Sequence, residues 1–569
     1  MTYPLLVPSP RWDSRSATTA EPACAPQGYR LQIVTGLVTL QAYDEAGAFY
    51  GAQTLAQLRQ HYGQHLPDLV IVDWPAVPVR AVMLDVSRDK VPTMASLELM
   101  LDRFATLRYN MCILYLEHTF AHPGHDEVWH AASPFTPDEI AHLTAYAQTR
   151  HITLVPQQNA LGHMERWLSH PRYAHLAALP GGYVAPNGDH EPAACLEPRH
   201  PQSFPLIAEL LTNVATTFDA PFVHIGLDEP IDLNPAVWDA IFDVPGAPVP
   251  WADVDNGAFC VPLPADRLHD YVTWVARIHE IPALATKQLL MWADVLAPHP
   301  DAIPRIPSDI ILIEWGYDAN HPFHERIARL RQHGHTCWVA PGTSAWDSLA
   351  GRIPTMQANV DAAIKAIQHH QSPGIVMCEW GNAGHIHQYP ICWPGFVYAA
   401  LRSWHPDQSV DTVSALSHII GNRGLAEATY RIGSLDRHFW PVFTQSGIVA
   451  DLLVHPAHIN DMVSRGLTND MLIAVATECD EVITLCRHYT QTVDSHLWAR
   501  EISVTAQWMQ VAVAHTQHTL GWPTAINYVQ YQSLVTDLLN TYADIWLARN
   551  RIGGLRDSHA KLQALVQRM

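Results

Sequence analysis

FVHIGLDE, residues 222–229, begins as an apolar β run and ends in two adjacent carboxylates, Asp228 and Glu229. A charged carboxylate is costly to bury without a partner. Such a pair belongs on a solvated turn, or in a site that needs one acid protonated and one ionised. The stretch is one of eight with the same texture. The others are AVMLDVS (81–87), MCILYLE (111–117), ITLVPQQ (152–158), QLLMWADV (288–295), ILIEWGYD (311–318), TCWVAPGT (336–343) and GIVMCEWG (374–381). Helical segments such as MASLELMLDRFATLRY and MQANVDAAIKAIQHH lie between them. Near-continuous apolar strands alternating with helices argue for a buried parallel sheet. Eight such units predict an α/β fold, a (β/α)8 TIM barrel, over residues 77–410.

The flanks have other textures. Residues 1–76 read as a small α+β accessory domain. In it GYRLQIV and LVTLQAYD alternate as strands about Gly36, GAFYGAQTLAQLRQHYG is an amphipathic helix, and LPDLVIVDWP is a closing strand. Residues 411–569 lose the strand signal and carry long helical stretches, such as NDMLIAVATECDEVITLCRHYTQTV and YVQYQSLVTDLLNTYADIWLARNRIGGL. They predict a C-terminal helical domain that packs on the barrel, or on a second subunit in a homo-oligomer.

Bulk composition excludes several classes. The chain has 569 residues, 48% of them hydrophobic, enough for a large core in more than one domain. Lys plus Arg is 34 against 55 Asp plus Glu, a net charge of -21, which disfavours a nucleic-acid backbone or an anionic membrane surface. No run of apolar residues reaches the length of a membrane span. The opening MTYPLLVPSPRW lacks the basic region of a signal peptide. The nine cysteines are dispersed with no C-x-x-C pair, which fits reduced thiols. Together these point to a cytoplasmic protein.

In a barrel of this kind the site lies at the C-terminal ends of the strands. There the sequence places Asp85 and Arg88, Glu117 and His118, Gln158 and His163, Asp228 and Glu229, Trp292 and Asp294, and Glu314, Trp315 and Tyr317. Trp346 and then Glu379, Trp380, Asn382 and His385 complete the set. Aromatic walls with carboxylates and an arginine describe a carbohydrate pocket, because rings stack on apolar sugar faces and charged groups bind hydroxyls. No metal or other cofactor is expected. His122-Pro-Gly-His125 and His385-Ile-His387 lack metalloprotease spacing and a clear third ligand. No G-x-S-x-G elbow supports a serine hydrolase.

At this point the motifs carry a resemblance. HIGLDE resembles the H-x-G-x-D-E signature of glycoside hydrolase family 20, the β-N-acetylhexosaminidases. RAVMLDVSR resembles the family's R-G-x-x-L-D-x-x-R opening of the barrel, and QQNALGHMERW its third-strand segment with a Gly-His pair. EWGNAGHIHQYP resembles the last-strand motif D-W-G-D-x-G-H of one bacterial branch. AGAFYGAQTLAQL and IVDWPAVPVR look like the family's accessory domain. The likeness covers about residues 25 to 400.

The resemblance implies a retaining exo-β-N-acetylhexosaminidase that removes terminal β-linked N-acetylglucosamine or N-acetylgalactosamine. Its nucleophile is the substrate's own acetamido oxygen, through an oxazolinium intermediate. It implies Glu229 as general acid and base, Asp228 as the ionised partner of the acetamido N–H, and Tyr317 as the group holding the acetamido oxygen. Arg88 would grip the distal hydroxyls, and Trp292, Trp346 and Trp380 would wall the pocket. Two departures bear on the sugar: Glu379 replaces Asp, and Asn382 replaces the acid that binds O4 and O6. A third, Leu227 in place of Gly, is expected to be tolerated with its side chain facing away. His163 and His224 read either as sugar contacts or as core histidines orienting their neighbours. Arg88 has an alternative as a structural ion pair with Asp85 or Glu117, and Trp315 reads as core. The competing functions are a non-catalytic sugar-binding barrel and a two-carboxylate glycosidase for another sugar.

Overall fold

A computed structural model describes residues 25–184, 190–234, 262–382, 384–439, 452, 459–487 and 492–568. Strands β1 (Tyr29–Val34), β2 (Leu37–Ala42) and β3 (Leu69–Asp73) form an antiparallel sheet in the order β2-β1-β3, backed by the helix Glu45–Tyr62. Asp44 caps that helix by accepting from Gly47 N at 2.8 Å. One face of β1, with Tyr29, Leu31 and Ile33, is wholly buried.

The eight predicted runs then form one closed parallel barrel. In chain order its strands are β4 (Val79–Asp85), β5 (Met111–Leu116), β6 (Thr153–Gln158), β9 (Phe222–His224), β10 (Gln288–Trp292), β11 (Ile311–Trp315), β12 (Cys337–Ala340) and β13 (Gly374–Glu379). The pairing of β13 with β4, Gly374 to Glu379 against Val79 to Leu84, closes the ring. The missing pair, β7 (Tyr183–Val184) and β8 (His190–Glu191), is a small hairpin in the excursion between β6 and β9. Every residue of β5 and β13 is buried, as a strand covered on both faces requires.

One buried cluster pins the accessory domain to the end of the barrel opposite the strand tips. Asp73 accepts from Arg108 at 3.1 Å, from Trp404 Nε1 at 3.0 Å and meets His405 at 3.1 Å. Arg80, also fully buried, donates to the carbonyls of Arg108, Val77 and Pro78. Burial opposes the charge on Asp73, but His405 and Arg108 outweigh it and hold the carboxyl below its ordinary value.

The predicted helical tail is present and lies on the barrel. Its described helices include Asn469–Cys486, Val493–Leu520, Tyr528–Arg549 and Leu555–Arg568. The first two correct the expected single stretch through residue 493: the helix ends at Cys486, and a new one starts behind the Thr492 cap. Arg549 and Glu501 form a buried pair at 2.9 Å, and Asp494 joins Arg549 at 2.8 Å to Arg103 at 2.6 Å on the barrel helix Met94–Thr106. Arg551 reaches Glu139 of the helix Pro137–Gln148 at 2.8 Å.

Arg108→Met leaves Asp73 short of a charge partner in a buried place, and is expected to cost about 3–5 kcal/mol. The depressed Asp73 carboxyl contributes stability that is full above the unfolded aspartate value of about 3.9 and is lost as pH falls toward its folded value. Urea unfolding of native and variant protein between neutral and acid pH checks both. A loss below 1 kcal/mol at neutral pH contradicts the assigned role.

Candidate active site

Strand β9 stops three residues after it starts, so Asp228 and Glu229 do not stand on an alternating strand as the sequence suggested. They stand on an irregular turn. Gly226, Leu227 and Glu229 have φ of +65°, +75° and +43°. At Gly226 an added Cβ would lie 2.9 Å from Asn159 Oδ1, and at Gly162 one would lie 2.7 Å from the Asp228 carbonyl. The two glycines let the β6 and β9 ends close on each other. His163, Asp347 and Asn382 are also left-handed, at +55°, +50° and +41°. Non-glycine residues in that region concentrate where a site imposes them.

The turn places two carboxylates around one imidazole. His163 Nε2 lies 3.3 Å from Asp228 Oδ2 and 3.4 Å from Glu229 Oε2. Burial disfavours the imidazolium, but Asp228 and Glu229 together raise it well above the ordinary histidine value. Burial likewise opposes ionised Asp228, and His163 then Arg88 overcome it, so Asp228 is held ionised. The Asp228 side chain is 12% exposed and that of Glu229 26%, so Glu229 is the one turned toward solvent. Asp294 accepts the Glu229 N–H at 3.1 Å. Burial and the charge of Asp228 push Asp294 far up, which favours its neutral form.

A second group sits between β4, β5 and β13. Arg88 lies 3.3 Å from Glu117 and 3.7 Å from Asp85, and donates to Tyr115 OH at 3.1 Å and to Asn382 Oδ1 at 3.2 Å. It is therefore ion-paired, as its structural reading held, yet its side chain stays 21% exposed at the pocket. Burial, offset in part by Arg88, pushes Glu117 up to about 7. Asp85 ties the strand tips by accepting from Gly381 N at 2.9 Å.

The aromatic wall differs from the expected one. Trp380 Nε1 donates to Tyr317 OH at 2.8 Å, Trp346 meets Tyr317 edge-on at 4.9 Å, and Trp315 stacks on Tyr317 at 5.3 Å. Trp315 is half-buried, packed against the core as expected, and it also turns its ring to Tyr317. Trp292 is 1% exposed, packed behind His224 at 4.6 Å, so it backs the pocket and has no free face on it. Burial lowers His224 to about 3, and it is a neutral core histidine.

Glu379 is the other correction. Its carboxylate accepts from Thr343 and meets His387, and it lines an interior cavity of about 50 Å³ with Lys90, Glu501 and Arg549 between barrel and tail. The following residue, Trp380, takes the pocket side. Asn382 stays at the lip, where it donates to Asp347 Oδ2 at 2.6 Å.

Sequence reasoning missed Tyr115, which donates to Glu117 at 2.9 Å and accepts from Asn159 at 2.8 Å. It also missed Asp347, which follows Trp346 directly and supplies an acid at the lip. A further miss is the last helix. Lys561 pairs with Asp89 at 3.0 Å, Arg166 bridges Asp89 and Asp557 at 3.1 Å each, and Ser558 donates to the Gly384 carbonyl. These contacts brace the three loops that carry Arg88, His163 and Asn382.

The family model described as glycosyl hydrolase family 20, catalytic domain, matches residues 78–372, and that for domain 2 of the same family matches residues 8–74. A β-hexosaminidase of Akkermansia muciniphila is 25% identical over 232 residues, 37% of this chain and 46% of that one. β-Hexosaminidase subunit A1 of Dictyostelium discoideum is 29% identical over 216 residues, 36% of this chain and 39% of that one. The chain thus spans less than half the length of these curated relatives. A Flavobacterium johnsoniae chitobiase structure shares the fold, with a TM-score of 0.54 at 16% identity over 95% of this chain and 86% of that one.

Leu227 occupies a left-handed position that favours glycine, and its side chain is 1% exposed. Replacement by Gly relieves about 1–2 kcal/mol of backbone strain but empties a site whose loss costs about 2–5 kcal/mol. Leu227→Gly is expected to destabilise by about 2 kcal/mol, since the cavity outweighs the strain. Chemical denaturation decides, and a neutral or stabilised variant shows that strain dominates.

Proposed function

Because the chain belongs to glycoside hydrolase family 20, we propose that it removes terminal β-linked N-acetylhexosamine residues with net retention, the substrate's acetamido group serving as nucleophile. The observation that carries the reading is the placement of His163 between the carboxylates of Asp228 and Glu229, one buried and ionised, the other turned to solvent.

In this reading Asp228 accepts the acetamido N–H and steadies the positive charge that grows as the acetamido oxygen attacks the anomeric carbon. Trp380 Nε1 donates to the Tyr317 hydroxyl and positions it; with sugar bound, that hydroxyl donates to the acetamido oxygen in place of its contact with the Cys378 thiol. Glu229 protonates the departing oxygen, then takes a proton from the water that opens the intermediate. The His163 imidazolium balances Asp228, so the pair can remain charged in a buried place. Arg88, Asn382 and Asp347 form the polar lip that meets the far hydroxyls of the sugar. Asp347 puts an acid beside the position where Asn382 lacks one, which supports recognition of O4 or O6 despite that substitution.

Three variants separate these roles. Glu229→Gln is expected to lower kcat by about 10²–10⁴ on substrates with poor leaving groups, and far less on activated aryl glycosides. Asp228→Asn is expected to lower turnover whatever the leaving group. Asp347→Asn removes a charged hydrogen-bond partner, expected to cost about 1.5–3 kcal/mol in kcat/KM, and to change the ratio between the gluco and galacto substrates. The assay pairs aryl β-N-acetylglucosaminide and β-N-acetylgalactosaminide with the plain β-glucoside and β-galactoside. Equal cleavage of the plain sugars overturns the reading.

A further inference from the structure

Among the described residues, two clusters of metal-ligating side chains share no residue with the Asp228–Glu229–His163 group and its neighbour Glu117. Glu379, His385 and His387 are buried together, but Lys90 lines the same cavity and its Nζ donates to the His387 carbonyl at 2.5 Å, so a positive charge already sits beside them. The other cluster is His324, His369 and His370, whose ligand atoms all lie within 4.8 Å of one another. The three rings meet pairwise with centroids 4.5, 4.5 and 4.8 Å apart. His324 stands on the barrel helix Phe323–Gln332, and His369 and His370 end the helix Ile353–His370.

From this cluster we infer a second site, one that binds a borderline divalent transition cation such as zinc through three neutral imidazoles. His324 Nδ1 and His370 Nε2 share a hydrogen bond at 3.1 Å, whose proton moves to the other ring nitrogen of its imidazole when a metal binds. Two nitrogens on a tetrahedral zinc at about 2.0–2.1 Å from the metal stand about 3.3 Å apart, so the ion enters with little movement of the pair. The last turn of the helix carrying His369 and His370 favours positive charge. Arg331 on the facing helix opposes it, which leaves covalent preference for imidazole to select the metal. Two of the three histidines are exposed and the third is half-buried, so a fourth position opens to water. Bound there, the ion would clamp two neighbouring helices of the outer ring.

The test is Co²⁺ titration of the tag-free full-length protein, stripped with chelator and dialysed, read by visible absorption. One equivalent should bind with the intense band of a tetrahedral ion. His324→Gln and His370→Gln should each weaken binding by at least the ~10-fold that loss of a lesser, outer-shell partner costs. Zinc should raise the thermal midpoint of the native protein and not of either variant. His385→Gln should bind as the native protein does. Uptake that does not saturate, uptake unchanged in both variants, or loss confined to His385→Gln overturns the inference.

Discussion

Five carboxyl groups, Asp85, Glu117, Asp228, Glu229 and Asp294, crowd the strand ends of one barrel, and the local structure depends on how their charge is balanced. Two cations do it. Arg88 lies against Glu117 and Asp85, and His163 against Asp228 and Glu229. Asp294 is pushed toward its neutral form, and Glu117 is pushed up to about 7. Like charges in a low-dielectric place cannot all ionise. The division into ionised, neutral and solvent-facing acids follows from which strand end each occupies. It gives Asp228 a fixed charge and leaves Glu229 the more exposed of the two carboxylates.

Holding two cations in place requires more than the barrel. The loops that carry Arg88, His163 and Asn382 are long and partly left-handed, and such segments order only when their surroundings over-determine them. The last helix supplies that constraint. Lys561 and Arg166 converge on Asp89, next to Arg88, and Ser558 bonds to the Gly384 carbonyl, close to Asn382. The buried Arg549–Glu501 pair, joined by the half-buried Asp494, anchors the tail beside the barrel helix that carries Arg103. The accessory domain holds the opposite end through Asp73, Arg80 and Arg108. The fold is thus clamped at both ends of the barrel.

Much of this was legible in the residue order. All eight barrel strands were found, because apolar runs bounded by polar tips have a local signature. Asp228, Glu229, Arg88, Tyr317 and Trp380 gather at the strand ends, where motif and strand tip coincide in the sequence. What escaped depends on long-range geometry. The alternation that a strand imposes does not apply to Asp228 and Glu229, since the chain leaves β9 at His224. Glu379 departs from its expected role because it faces the tail while Trp380 beside it faces the pocket, and no sequence pattern says where the tail lies. Trp292 and Trp315 look alike in sequence, yet one is sealed behind His224 and the other stacks on Tyr317. Asp89, Arg166 and Lys561 are ordinary charged residues until the fold joins positions hundreds of residues apart.

The central claim is that ionised Asp228, steadied by His163, recognises an acetamido group that has closed on the anomeric carbon. The most direct measurement is the inhibition constant of a bicyclic thiazoline built on N-acetylglucosamine, a stable copy of the oxazolinium ring, compared with that of the free sugar. Mimics of a catalytic intermediate bind at least about 10²-fold more tightly than ground-state ligands. The account predicts competitive inhibition stronger than the free sugar by that margin, with the advantage erased in Asp228→Asn. A thiazoline that binds no better than N-acetylglucosamine, or whose advantage survives the loss of the Asp228 charge, contradicts it.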